Sequence, residues 1–256
     1  MSRWKAALIH LSISAVVAAA VLALMLLVWY PYPLFAAVGG QQILMILLGV
    51  DVTLGPLITL AIFNLKNKSL RALKFDLAVI AALQTAALLY GMGIVFQARP
   101  VYVAFSKDSF DLVTANLLSD EDIAKAALPE YRTLPLTGPV YIYTEMPANI
   151  KERNEVVLGA FSGKDLPHYP QYYQPFAEHM TAAGLAARPL SMLRKMNPDR
   201  TADIEDAIRA SGRPERDLGY LPLRAKHEDL SVLVGISDGK VLATLRMRPW
   251  QETRPE

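Results

Sequence analysis

Cysteine is absent from the 256 residues, which excludes disulfides, thiolate metal sites and a cysteine nucleophile. Histidine is scarce: His10, His168, His179 and His227 are the four, and no HExxH or comparable spacing joins them, so no metal site is expected. There is no GxSxG elbow and no phosphate-cradling glycine loop, and Gly91 and Gly93 stand inside an apolar run with no strand–helix unit behind them. The formal net charge is only +2, and from Arg99 onward 20 basic residues face 22 acidic ones, so the chain lacks the basic face that nucleic-acid binding requires. Charge of either sign is missing altogether from residues 6–50.

What is present divides at Ala98. Residues 1–98 hold 67 apolar residues, about 68%, and residues 99–256 hold 68 of 158, about 43%. The first composition is that of membrane segments and the second that of an ordinary globular domain, so a soluble one-domain enzyme is excluded.

The first apolar run, residues 6–30, exceeds the roughly 20 residues that cross a hydrocarbon core. A cleaved signal peptide is the rival reading, given Arg3 and Lys5. Its apolar region would be only about 7 to 15 residues, and the small residues Ala18 to Ala20 lie in mid-run, so an uncleaved anchor is expected. Trp29, Tyr30 and Tyr32 with Pro31 and Pro33 end the run as an aromatic membrane boundary does. A second run covers 43–63 and is interrupted by Gly49, Asp51, Gly55 and Pro56; a third covers 77–98. The loop 64–74 carries four of the six basic residues of this half, a positive-inside signal that agrees with Arg3 and Lys5 if two spans separate the clusters. The expectation is a membrane protein with three transmembrane α-helices (6–30, 43–63, 77–98), a cytoplasmic N-terminus and basic loop, and an extracytoplasmic domain over 99–256.

That domain reads as α+β with antiparallel strands. A hairpin is expected from 99–105 and 110–113, a helix over 120–128 capped by Ser119, a strand over 140–144 and a helix over 149–161. Further helices are expected over 175–183 and 198–210. Ser237-Asp238-Gly239-Lys240 between the runs 230–236 and 241–247 specifies a tight hairpin, and 220–225 offers a third strand. The tyrosine- and proline-rich stretch 166–176 could grip an extended peptide, but sealing the domain's own core is the favoured reading.

Asp203 and Asp206 sit on a polar helix face that solvation explains, and nothing in the sequence indicates a catalytic cleft. No catalytic, cofactor or small-molecule site is expected. The most informative residue is Asp51, because an acid inside a span is costly and normally faces a partner or a wet cavity. Gly49 and Thr53, four apart, flank it and allow close helix approach, so Asp51, Gly49 and Thr53 form a candidate membrane helix-docking site. The alternative is internal glue among the three spans, with Asp51 bonded to Gln84, Thr85 or Ser14.

The segments WKAALIHLSISAVVAAAVLALMLLVWYPYPLF (4–35), LLGVDVTLGPLITLAIF (47–63), LKFDLAVIAALQTAALLYG (73–91) and ARPVYVAF (98–105) are similar in order and spacing to the TfpX/TfpZ type IV pilin accessory proteins, most firmly over residues 1–115. The resemblance implies a bacterial inner-membrane protein, not an enzyme, that acts as a chaperone or accessory for the stability or assembly of a cognate type IV major pilin, with that pilin and membrane lipid as partners. It carries over no catalytic residue. Its rival from another class is a membrane enzyme that modifies pilin, such as a glycosyltransferase.

Overall fold

The structure, a computed structural model, describes residues 2–49, 53, 55–62 and 69–250; Asp51 and most of the basic loop lie outside them. Helix α1 (Arg3–Leu24) is capped by the Ser2 side chain, which accepts from the Lys5 N–H, and it widens into a π-turn over Met25–Trp29. A short α2 (Leu34–Ala37) follows Pro33, which fixes the first helical turn. Residues 43–63, expected as a second span, overlap two short helices, α3 (Gly40–Leu48) and α4 (Gly55–Ile62), on either side of a stretch mostly outside the described residues, and neither is by itself long enough to cross a membrane. Helix α5 (Leu70–Gln97) starts at a Ser69 cap, so Arg71 and Lys74, expected in a loop, lie on its first turns. The π-turned α1 and α5 are long and apolar enough to cross a membrane, and only 17% and 11% of their most apolar windows are buried by the rest of the chain.

The remaining chain builds an eight-stranded sheet: β1 (Pro100–Ser106), β2 (Ser109–Thr114), β3 (Val140–Thr144), β4 (Tyr173–Pro175), β5 (Arg188–Pro189), β6 (Leu218–Arg224), β7 (Leu230–Gly235) and β8 (Val241–Leu245). Their order is β4-β3-β1-β2-β6-β7-β8, with β5 paired to β6. The expectation of antiparallel strands needs correction, because the sheet is mixed: β1 runs parallel to β3 and β2 parallel to β6. Both parallel pairs join strands separated by long crossovers, which parallel pairing requires and which local alternation of residues does not reveal.

The helices flanking the sheet are α6 (Asp120–Ala124), α7 (Ile150–Phe161), α8 (Phe176–Ala186), α9 (Leu190–Met196) and α10 (Thr201–Ser211). Helix α6 is shorter than expected, and α9 has no counterpart in the sequence reading. Strands β1, β6 and β7 are buried on both faces. Val103, Phe105, Phe110, Leu221, Leu223, Val232 and Val234 point to one side, where they join Phe176 and Ala183 of α8 and also Val21, Met25, Tyr30 and Val95 of the apolar helices in one continuous core. The opposite side packs Tyr102, Ala104, Tyr131 and Tyr173 in one cluster and Leu193, Ile204, Tyr220 and Leu233 in another. The sheet domain is therefore seated on the helices by packing.

Polar contacts reinforce the seat. The buried Tyr30 hydroxyl donates to Val95 O at 2.5 Å, and the His227 N–H donates to Ala37 O at 3.0 Å. Gly39, at φ +76°, leaves room for the His227 ring, which a Cβ would approach to 2.5 Å. The guanidinium of Arg99, 3% exposed, donates to Pro135 O and Phe96 O and lies 3.7 Å above the Phe96 ring.

One turn of the domain is pH-sensitive. The Asp165 N–H donates to His168 Nδ1 at 3.1 Å, which requires an unprotonated Nδ1. Burial lowers the His168 pKa from its ordinary 6.5, against the opposing pull of Asp165 and Asp111 and with a smaller push from Lys164. The unfolded chain then takes up the proton first, so stability is complete above 6.5 and is lost as pH falls from there toward the depressed folded value. Thermal unfolding of the detergent-solubilised chain is expected to shift to lower temperature below that pH. His168→Asn, which keeps an acceptor without titrating, is expected to flatten the shift; equal pH slopes for the two proteins would contradict the assignment.

Candidate helix-docking groove

Along α1, Ala6, Ile9, His10, Ile13, Ser14 and Val17 recur at helical spacing, and along α5 Leu77, Ile80, Ala81, Gln84, Thr85 and Leu88 recur with the same steps. Each set is one face of its helix. The two faces line a groove of about 380 Å³, with Thr59 of α4 contributing its polar side chain. Gly55 of α4 has no side chain and leaves room for the Gln84 amide of α5 and the His10 ring of α1: a Cβ there would overlap Gln84 Nε2 and lie 3.0 Å from His10 Nε2.

The groove is apolar with a polar band across it. His10 Nδ1 and Thr59 Oγ1 are 2.6 Å apart and share a hydrogen bond, and Thr59 and Ser14 are buried. Gln84 and Thr85 add an amide and a hydroxyl from the opposite wall. In apolar surroundings such groups are costly unless bonded, and bonds between helices satisfy them. The band holds hydroxyl, amide and imidazole groups but no carboxylate pair, and among the described residues no cluster of His, Asp or Glu could hold a metal ion. Its side chains can donate and accept hydrogen bonds within apolar walls.

Of the three residues singled out in the sequence, Asp51 lies outside the described residues. Gly49 and Thr53 are exposed, and among the described residues no atom lies within 4 Å of where a Gly49 Cβ would stand. Gln84 and Ser14, named above as alternative partners of Asp51, belong to the groove. Sequence reasoning missed His10, Thr59 and Gly55. The signal that could have found them is the presence of polar side chains at one helical phase, His10 with Ser14 and Gln84 with Thr85, in otherwise apolar runs. The other histidines are dispersed: His179 stacks on Tyr143 at 4.0 Å, His168 closes its own turn and His227 lies against Gly39.

The architecture is that of long apolar helices carrying a mixed-sheet domain, with a groove between the helices. The chain belongs to the fimbrial assembly protein family. It is 32% identical over 217 residues to the fimbrial assembly protein of serogroup E1 of Dichelobacter nodosus, covering 84% of this chain and 83% of that one. It is 31% identical over 217 residues to the serogroup I protein of the same organism, with the same coverage. A shorter match, 36% over 122 residues, covers 48% of this chain and 88% of the protein of serogroups C1 and C2. The family model for fimbrial assembly protein FimB matches residues 1–39, which contain α1 and α2. No solved structure matches this chain.

Proposed function

We propose that this protein is a three-span accessory protein of a bacterial inner membrane that assists the stability or assembly of a cognate type IV pilin without catalysing a reaction. Family membership supports fimbrial biogenesis, since the relatives are named as fimbrial assembly proteins. The membrane assignment is supported by the surface of the helices: Leu8, Ile13, Val16, Phe75, Leu83 and Leu89 are each 60% exposed or more, a surface that water would not tolerate. The basic clusters around Arg3 and over 64–74, cytoplasmic in this reading, support a periplasmic sheet domain.

The observation that carries the proposal is the groove between α1 and α5. A pilin waits in the membrane with one hydrophobic helix inside and a globular head outside. The groove offers that helix an apolar bed with a polar band, and the sheet domain, packed against the apolar helices, offers a surface for the head. Asp51, Gly49 and Thr53 are assigned in this reading as a second contact for the same helix, on the sequence argument that an acid inside a span normally faces a partner. The resemblance to TfpX/TfpZ proteins supports the same assignment.

Deletion is expected to lower surface pili in a strain whose only major pilin is the cognate one, counted by electron microscopy, while the mass of the pilin stays that of the parent. Unchanged piliation would sink the proposal, and a shift in pilin mass would transfer the role to a modifying enzyme.

A further inference from the structure

We propose that the cleft beside the terminal strand β4 is a docking site for an extended segment of a partner protein that presents lysine or arginine side chains. The cleft encloses about 700 Å³, and Glu130, Glu145 and Glu178 reach it from three separate elements: the turn Pro129–Tyr131, the residues after β3, and α8. No basic residue lines it.

Several acids of the domain are held by a basic partner. Asp111 is held by Arg224, Asp122 by Lys164, Glu205 and Glu215 by Arg194, Glu228 by Arg246 and Asp238 by Arg213. Glu130, Glu145 and Glu178 make no ion pair among the described residues. Arg153 Nε donates to Pro147 O and Arg132 Nε to Ala126 O, each at 3.1 Å, and neither forms an ion pair with the three glutamates among the described residues. Glu130 and Glu178 act on the same spot, since both add to burial in pushing the Tyr131 hydroxyl up to about 12.

The form of the cleft selects a chain rather than an ion. The three carboxylates are not grouped as metal ligands, and no metal-holding cluster occurs among the described residues. Strand β4 pairs on one side with β3, through Tyr173, Gln174 and Pro175, and ends the sheet, so an extended segment can lie along its other edge. Tyr172 and Pro147 supply an apolar wall for the methylene stem of a lysine or arginine whose head meets the carboxylates. Gln171 Oε1, in the same wall, is a buried acceptor with no donor, and the residue is only half-buried, so the amide can turn toward a guest N–H. The tyrosine- and proline-rich stretch thus divides its roles: Tyr173 seals the core against Tyr102 and Tyr131, and Tyr172 faces the cleft.

The test uses the full chain in detergent and a fluorescent peptide, Gly-Ser-Lys-Val-Lys-Ser-Gly, with a second version carrying norleucine for both lysines. Fluorescence anisotropy is expected to show the lysine peptide binding at least about tenfold more tightly than the norleucine one, with the preference shrinking as salt is added. The triple variant Glu130→Gln, Glu145→Gln, Glu178→Gln, all at exposed positions, is expected to remove that preference, while Asp120→Asn, Glu121→Gln on α6 leaves it intact. Equal binding of the two peptides, or a preference that survives the triple variant, would overturn the proposal. So would full competition by spermidine at the peptide's own concentration, which would show a site for free cations and not for a chain. None of these readouts involves pilin, so they stand or fall separately from the function proposed above.

Discussion

Replacing Gly239 with alanine is expected to destabilise the sheet domain by about 3 kcal/mol or more, enough to remove much of the folded protein from the membrane fraction. Gly239 closes the turn between β7 and β8 at φ +64°, where a side chain alone costs about 1–2 kcal/mol. The larger cost is packing, because a Cβ at Gly239 would overlap the Met180 carbonyl of α8, a backbone atom that no rotamer change can move. On the helix side Gly184 meets the same turn, and a Cβ there would overlap Ile236 O. The two glycines let backbone touch backbone, and separating them would open the core around Ala183 and Val234, adding an overpacking cost of about 1–3 kcal/mol. Gly212 is the control: its φ is +67° with nothing within 4 Å, so Gly212→Ala should cost only the conformational part. Urea or thermal unfolding of both variants reads the difference, and equal losses would contradict the close approach of α8 to the hairpin.

Ala81→Phe is expected to lower the number of surface pili by about tenfold while the variant accumulates to the parental level. Ala81 is exposed on the α5 wall of the groove, so a phenylalanine can project into the space without displacing a packed neighbour, and it occupies much of the 380 Å³ a guest helix would need. Leu83→Phe, on a face of α5 that does not line the groove and is 67% exposed, should leave piliation unchanged. Asp51→Leu, read in the same strains, is expected to preserve insertion and reduce co-purification of pilin. Normal piliation in the Ala81→Phe strain would remove the groove from the mechanism.

Much of this architecture is legible in the residue order, and the reasons differ by element. The first and third apolar runs show as long helices because length and lack of charge are local properties, and the Asp238-Gly239 turn shows as a hairpin because positive φ leaves a sequence mark. The Asn149 side chain caps the start of α7, and Gly212, in the left-handed region, ends α10. Parallel pairing of β1 with β3 and of β2 with β6 leaves no such mark, since it depends on where long crossovers deliver a strand. Strands buried on both faces, such as β7, are apolar throughout and do not reveal their neighbours. The groove was only half legible: the helical phase of His10 and Ser14 is visible in the sequence, but the bond from His10 to Thr59 spans 49 residues and depends on Gly55 admitting Gln84. The acidic cleft was not legible, because Glu130, Glu145 and Glu178 are widely spaced and only the fold brings them together.

The central claim, that the groove between α1 and α5 receives the pilin helix, is tested most directly by photocrosslinking in cells. A benzophenone amino acid is placed at Ile13, which lines the groove and is 60% exposed, or at Leu27, which is 80% exposed and lies outside it. The account predicts a crosslink from position 13 to the hydrophobic helix of the cognate pilin, mapped by mass spectrometry and lost when Ala81→Phe is added, with little from position 27. Absence of a pilin crosslink at position 13, or equal crosslinking from both positions, would contradict it.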